Sequence, residues 1–334
     1  MNDERYKALV VTETRDGRFL RDVTTRSVNQ LPAGDVLIRV HYSSLNYKDA
    51  LSATGSKGVT KNYPHVPGVD AAGVVEHSDV AVFSPGDEVL VTGYDLGSNT
   101  GGGWGERIRV PAGWVVRRPD ALTLRESMQY GTAGFTAALS VYKLLHYGIK
   151  PDQGPILVTG STGGVGCIAV SILGKLGFHV VAVTGKKDEK AFLRALGASE
   201  IFGRDEVIDQ SVKPLLSTRW NAVVDTVGGP MLETALRKTR TEGAVACCGN
   251  IGSAELHTSI YPFILRGITL FGIGSAFTPR DIRVHVWQRL ASDWKVGALD
   301  ELTIEASLDE LNRTYIDRIL RGGIRGRVLV NLGL

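Results

Sequence analysis

Between residues 157 and 166 the chain reads LVTGSTGGVG, and few folds accommodate such a stretch. It follows the apolar run PILV and opens into VGCIAVSILGKLG, where Val165, Ile168, Ala169, Ile172, Leu173 and Leu176 recur at helical spacing. A glycine loop between a buried strand and a helix is a phosphate-binding corner, because free N–H groups at the helix start face the anion. Gly163 permits close backbone approach to a pyrophosphate, and Gly166 permits tight packing of helix on sheet. The loop is not a strict G-x-G-x-x-G, since Ser161 holds the first position and Gly160 lies one residue earlier. A plain glycine-rich turn would read the same locally, so the neighbouring segments decide.

Those neighbours alternate. HVVAVTG reads as a strand, DEKAFLRALG as a helix, and NAVVDTVG, AVACCGN and ITLFGIG as further strands. The strands are continuous apolar runs, as a sheet covered on both faces requires. The expected fold class is therefore α/β, with a doubly wound Rossmann region. An NAD-binding unit normally ends its second strand in Asp or Glu, which accepts from the ribose hydroxyls. Here that strand ends in Thr184, Gly185 and Lys186, offering a hydroxyl, an accessible N–H and a cation. Such a set suits a 2′-phosphate, and the expected cofactor is NADP(H). Asp188 and Glu189 fit the first turn of the next helix, where negative charge is favoured.

Before residue 118 the texture differs. Short β-rich runs, among them KALVVTET, DVLIRVHYSSLN and DEVLVTG, alternate with Gly/Pro turns in a barrel-like, mostly antiparallel pattern. At Thr123 a capping box, TLRE, opens a helical segment. This places a β-rich domain at 1–122 and a Rossmann domain at 123–275. Two helices near 280–294 and 308–320 and a last strand in GRVLVNL do not extend the strand–helix series, so 276–334 is expected to complete the first domain. With 38 basic and 35 acidic residues, no basic run and no apolar stretch of membrane length, neither nucleic acid nor membrane is indicated as a partner. Cys167, Cys247 and Cys248 fit neither a disulfide framework nor a zinc pattern and read as small core residues. A cytoplasmic location, with small molecules as partners, is the expectation.

SSLNYKDALSATG, YPHVPGVDAAGVV, YGTAGFTAALSV, VTGSTGGVG, VVDTVGG, YPFILRGI and IRGRVLV together span nearly the whole chain. In them the chain resembles the medium-chain dehydrogenase/reductase superfamily, in its zinc-free quinone oxidoreductase branch and the YhdH/YhfP-type acrylyl-CoA reductase group. That resemblance implies a GroES-like catalytic domain with a Rossmann domain, and a homodimer. It implies no metal, because Asn46 stands where zinc-dependent relatives place a Cys ligand and Val69 where they place a His. It also implies cofactor contacts from Tyr47, Thr162, Gly163, Gly164, Val165, Thr184, Gly185, Lys186, Thr226, Leu270 and Arg327.

The chemistry so implied is NADPH-dependent reduction of the C=C bond of a short α,β-unsaturated acyl-CoA. Negative charge develops on the carbonyl oxygen, and a proton must reach the α-carbon. Tyr47 is the candidate acid or orienting hydroxyl, or else a wall for the nicotinamide; Asn46 is a candidate amide donor; Asp49 fits a turn cap. The Gly-rich loop 94–106 reads equally as a substrate entrance or a mobile turn. A quinone or enone reductase is the alternative within oxidoreductases, and a non-catalytic NADPH-binding redox sensor the alternative outside them.

Overall fold

The computed structural model describes residues 4–333. Over the first 117 residues the chain lays down β1 (Arg5–Glu13), β2 (Phe19–Ser27), β3 (Val36–Leu45), β4 (Asp70–Ser78), β5 (Glu88–Thr92), β6 (Arg107–Val110) and β7 (Val116–Arg117). One helix, α1 (Tyr47–Ala53), follows β3. Then come α2 (Leu124–Tyr147), β8 (Ile156–Val158), α3 (Gly164–Lys175), β9 (Val180–Val183), α4 (Lys190–Ala195), β10 (Glu200–Phe202), α5 (Arg204–Val207) and β11 (Trp220–Asp225). The chain continues with α6 (Gly229–Lys238), β12 (Thr239–Cys247), α7 (Tyr261–Arg266), β13 (Thr269–Gly272), α8 (Arg280–Leu290), β14 (Thr303–Ala306) and β15 (Arg327–Asn331).

Two compact units result. Among the described residues, the first comprises the chain up to Thr132, with Ala276–Ala291 and the chain from Leu299 onward; the second comprises Ala133–Ser275 and Ser292–Ala298. In the first unit, β14-β15-β3-β4-β5-β7 form one sheet, with β6 also pairing to β3. Its pairs are antiparallel except β14 with β15. Its core gathers Leu9, Ile38, Val40, Trp104 and Ile108 with Val328 and Val330 from the far end of the chain. The segment TIEA, too short and too charged to announce itself as a strand, becomes β14 because β15 offers it an edge.

In the second unit the strand order is β10-β9-β8-β11-β12-β13. Every pairing is parallel, and the order is that of two mononucleotide-binding halves meeting at β8 and β11. Ile156, Leu157 and Val158 are fully buried, as the continuous apolar run requires. The TLRE box forms as read: Thr123 N–H donates to Glu126 Oε2 at 2.8 Å, and Glu126 N–H donates to Thr123 Oγ1 at 3.0 Å. The division between units falls inside α2 rather than at its start. There Gly131 breaks the helix with φ 51° and ψ −156°, and the second unit begins two residues later. Among the described residues no helix is long and apolar enough to cross a membrane.

Candidate functional site

In the second unit, α3 begins at Gly164 with Gly163 as its N-cap and no side chain capping it, which leaves its first N–H groups for an anion. A Cβ on Gly166 would lie 2.3 Å from Gly160 O, so the helix lies on the loop at a distance that only glycine allows. At Gly163 the nearest atom would be Gly160 O at 3.3 Å, which leaves room for a ligand. Ser161, the departure from the fingerprint, has a structural use. Its hydroxyl donates to Val158 O and accepts from Val183 N–H, tying the loop to β9. Thr162 and Thr184 meet at 3.1 Å through their hydroxyls, and Thr184 Oγ1 also accepts from Lys186 N–H. Loop and β9 terminus thus form one hydrogen-bonded cradle.

Arg204, the first residue of α5, is a basic group that sequence reasoning missed. A Cβ on Gly185 would stand 2.8 Å from its guanidinium carbon, so the cation lies against the Thr184–Lys186 backbone. The Arg204 guanidinium makes no hydrogen bond or ion pair among the described residues, while the backbone O of Arg204 accepts from Ile208 N–H at 3.0 Å. Nothing in the local pattern marks Arg204, which reaches Gly185 because β10 lies beside β9. Thr226 donates its hydroxyl to Thr159 O and its N–H to Thr159 Oγ1, bracing β8 against β11. Leu270 packs against the core of this unit, two residues short of the carboxyl end of β13. Cys167 is buried, but Cys247 and Cys248 are only partly covered. They line an open cavity of about 590 Å³ with Gly249, Asn250 and Gly272 at the carboxyl ends of β12 and β13, where doubly wound sheets bind ligands. Burial pushes the Cys248 thiol up to about 12, so it stays protonated. A second cavity, of about 430 Å³ and lined by Asn221 and Arg240, opens near the amino ends of the strands, away from the loop.

In the first unit the LNYKDALSATG stretch takes part in a buried polar network. Asn46 N–H and Nδ2 donate to Asp49 Oδ2 at 2.8 and 3.0 Å, which makes Asp49 the carboxylate partner of the α1 cap. Asp49 Oδ1 accepts from Val69 N–H at 2.8 Å. Asp70, the first residue of β4, is fully buried and accepts from Ser44 Oγ (2.5 Å), Asn46 Nδ2 (2.8 Å), Thr132 N–H (2.9 Å) and Thr132 Oγ1 (2.6 Å). The break at Gly131 aims Thr132 at Asp70. A Cβ on Gly131 would fall 2.5 Å from Asp70 Oδ2 and 2.8 Å from Arg327 Nη2. Arg327, 3% exposed, donates to Gln129 O, Leu45 O, Asn46 Oδ1 and Ser44 Oγ, with Asp70 Oδ2 at 4.0 Å. Arginine can only donate, so it fixes Asn46 Oδ1 toward itself and Nδ2 toward the two carboxylates.

Burial, and then the neighbouring Asp70 charge, raise the Asp49 carboxyl to about 7, against the hydrogen bonds from Asn46 and Val69. Lys48 faces solvent. Tyr47 is half-buried at the first position of α1, and its hydroxyl has no partner among the described residues. The donor set does not fit zinc. Val69 offers no ligand, Asn46 presents N–H rather than oxygen to the carboxylates, and among the described residues no three His, Cys, Asp or Glu side chains are grouped to hold a metal.

A six-stranded parallel sheet with a glycine-loop corner, carried in one chain with an antiparallel β-unit, defines the class of a nucleotide-dependent dehydrogenase. The alcohol dehydrogenase GroES-like domain model matches residues 32–120, and the zinc-binding dehydrogenase model matches residues 164–292. YhfP of Bacillus subtilis (strain 168) is 47% identical over 313 residues, 93% of this chain and 94% of that one. Its crystal structure with NAD bound gives a TM-score of 0.95 over 98% of this chain and 100% of the other, at 44% identity. The acrylyl-CoA reductase AcuI of Ruegeria pomeroyi is 41% identical over 328 residues, 98% and 99% of the two chains. The crystal structure of E. coli K-12 YhdH with bound NADPH gives a TM-score of 0.94 at 42% identity, covering 98% and 100%. The chain belongs to the medium-chain dehydrogenase/reductase superfamily, among the YhfP/AcuI acrylyl-CoA reductase-type quinone oxidoreductases.

Proposed function

We propose that this protein is an NADPH-dependent reductase of the C=C bond of short α,β-unsaturated acyl-CoA thioesters. The observation that carries the proposal is full-length similarity to an acrylyl-CoA reductase, together with a β9 terminus that ends in Thr184, Gly185 and Lys186 with no acidic residue. The uncapped start of α3 would take the pyrophosphate, with Thr162, Gly163, Gly164 and Val165 at its rim. Lys186 and Arg204 would take the 2′-phosphate. NADPH, when bound, supplies the hydride that adds to the β-carbon.

The residues of the chain do the rest. Tyr47 donates its hydroxyl to the thioester oxygen as charge builds there, and passes or orients the proton for the α-carbon. Asn46 has both amide hydrogens engaged by Asp49 and Asp70, so its part is to hold the α1 entry, and with it Tyr47, in register. Arg327, walled in by Gln129, Leu45 and Ser44, positions Asn46. Thr226 and Leu270 brace the nucleotide sheet. A homodimer fits the second unit, where edge strand β13 follows an α7 segment that exposes Ile260, Ile264 and Leu265 by 66%, 63% and 61%. Light scattering reads the mass directly.

Parallel NADPH-oxidation assays with acrylyl-CoA, crotonyl-CoA and a benzoquinone test the proposal. Turnover of the quinone alone would overturn it in favour of a quinone reductase, the activity for which YhfP is named. Tight NADPH binding with no turnover of any of the three would favour a redox sensor.

A further inference from the structure

Within the first unit, an aromatic cluster gathers around a residue held in a rare backbone conformation. Tyr94, two residues past the end of β5, holds φ at 53°, a left-handed conformation that a bulky side chain adopts only when its surroundings enforce it. Tyr94 N–H donates to Ala276 O at 2.9 Å. Its ring stacks on Trp114 with centroids 5.2 Å apart and planes 2° from parallel. Against the same ring, 4.4 Å from its centroid, lies the guanidinium of Arg283, a 1% exposed arginine that donates to Thr92 O, Thr92 Oγ1 and Ala276 O. Phe277 stands edge-on to Tyr94 at 6.4 Å and is 69% exposed. A buried cation, a strained tyrosine and a tryptophan thus hold a large apolar ring in water.

Charge completes the surface. Exposed Arg280 donates through Nη1 to Val115 O at 2.6 Å, one residue from Trp114, and has no ion-pair partner among the described residues. Thr92, which anchors Arg283, pairs across the sheet with Asp70, so the aromatic cluster and the Asp70 network share one end of β4 and β5.

We propose that Trp114, Tyr94, Phe277 and Arg280 form the docking platform for the nucleotide handle of an acyl-CoA, with the adenine stacked on the rings and a phosphate held by Arg280. The proposal rests on the acyl-CoA assignment made above. Every nucleobase presents a π-face that aromatic side chains accept, and a fixed guanidinium selects phosphate. A bare quinone would use the rings and leave Arg280 idle.

The test compares two thioesters of one acyl group. Acrylyl-CoA carries the nucleotide, whereas acrylyl-N-acetylcysteamine lacks it. Phe277→Ala and Arg280→Gln are each expected to raise KM for acrylyl-CoA about tenfold, with kcat and the N-acetylcysteamine thioester unaffected. Arg280→Lys, which keeps the charge, should recover most of the loss. Equal effects on both thioesters, or none on either, would overturn the platform. Calorimetric titration of coenzyme A into the NADP⁺-saturated protein separates the two levels of inference. Binding that Arg280→Gln weakens about tenfold supports the platform even if acrylyl-CoA proves not to be a substrate, whereas no binding by the unmodified protein removes the platform.

Discussion

Asp49 is a carboxyl with no room for its charge. Folding carries it from an ordinary value of 3.8 to about 7, first by burial and then by the Asp70 carboxylate beside it. The linkage sign follows from proton counting. Between these two pH values the folded chain holds a proton that the unfolded chain has released, so stability falls as pH rises through this window and levels off above it. At 1.36 kcal/mol per pH unit, the full span amounts to about 4 kcal/mol, of which about 2–3 kcal/mol falls between pH 5 and 8. Asp49→Asn cannot titrate. It also loses acceptor capacity toward Asn46 or Val69, so its stability at any one pH mixes two effects, but only the titration bends the pH curve. Urea unfolding of both proteins from pH 5 to 8, followed by tryptophan fluorescence, gives that curve. The wild type should lose about 2–3 kcal/mol relative to Asp49→Asn across the range. Parallel curves would show that Asp49 is ionised throughout, and that the Asn46 and Val69 hydrogen bonds outweigh burial.

Other outcomes follow from the same geometry. Gly131→Ala forces a Cβ into Asp70 and Arg327 at a φ/ψ pair open essentially to glycine, and should lower stability by roughly 2–4 kcal/mol in urea unfolding while removing most turnover. Tyr47→Phe should leave the NADPH Kd nearly unchanged, read by cofactor fluorescence, while kcat with acrylyl-CoA drops on the order of 10²-fold; undiminished kcat assigns the proton to water. NADPH should be preferred to NADH by at least about tenfold in kcat/KM, and Lys186→Glu should erase most of that margin, with equal use by the unmodified protein refuting the phosphate site. Elemental analysis should find no stoichiometric zinc, and chelator should leave activity as it was; one zinc per chain would show that the Asn46 and Val69 positions had been misjudged.

The nucleotide loop was legible because its signals are local: an apolar run, glycines at set intervals and helical spacing all lie between residues 155 and 177. The same holds for the Thr123–Glu126 box and for the Asn46–Asp49 cap, whose partners are three residues apart. The Asp70 network was not legible. Ser44, Asp70, Thr132 and Arg327 come from β3, β4, the break in α2 and β15, and no periodicity links residues separated by as many as 283 positions. Neither the protonation of Asp49 nor the approach of Arg204 to Gly185 can be read from neighbours in sequence. Local backbone preference and hydrophobic spacing act over a few residues and so are written in the chain. Burial, field and side-chain convergence are properties of the packed volume, and exist only once the strands have found their partners.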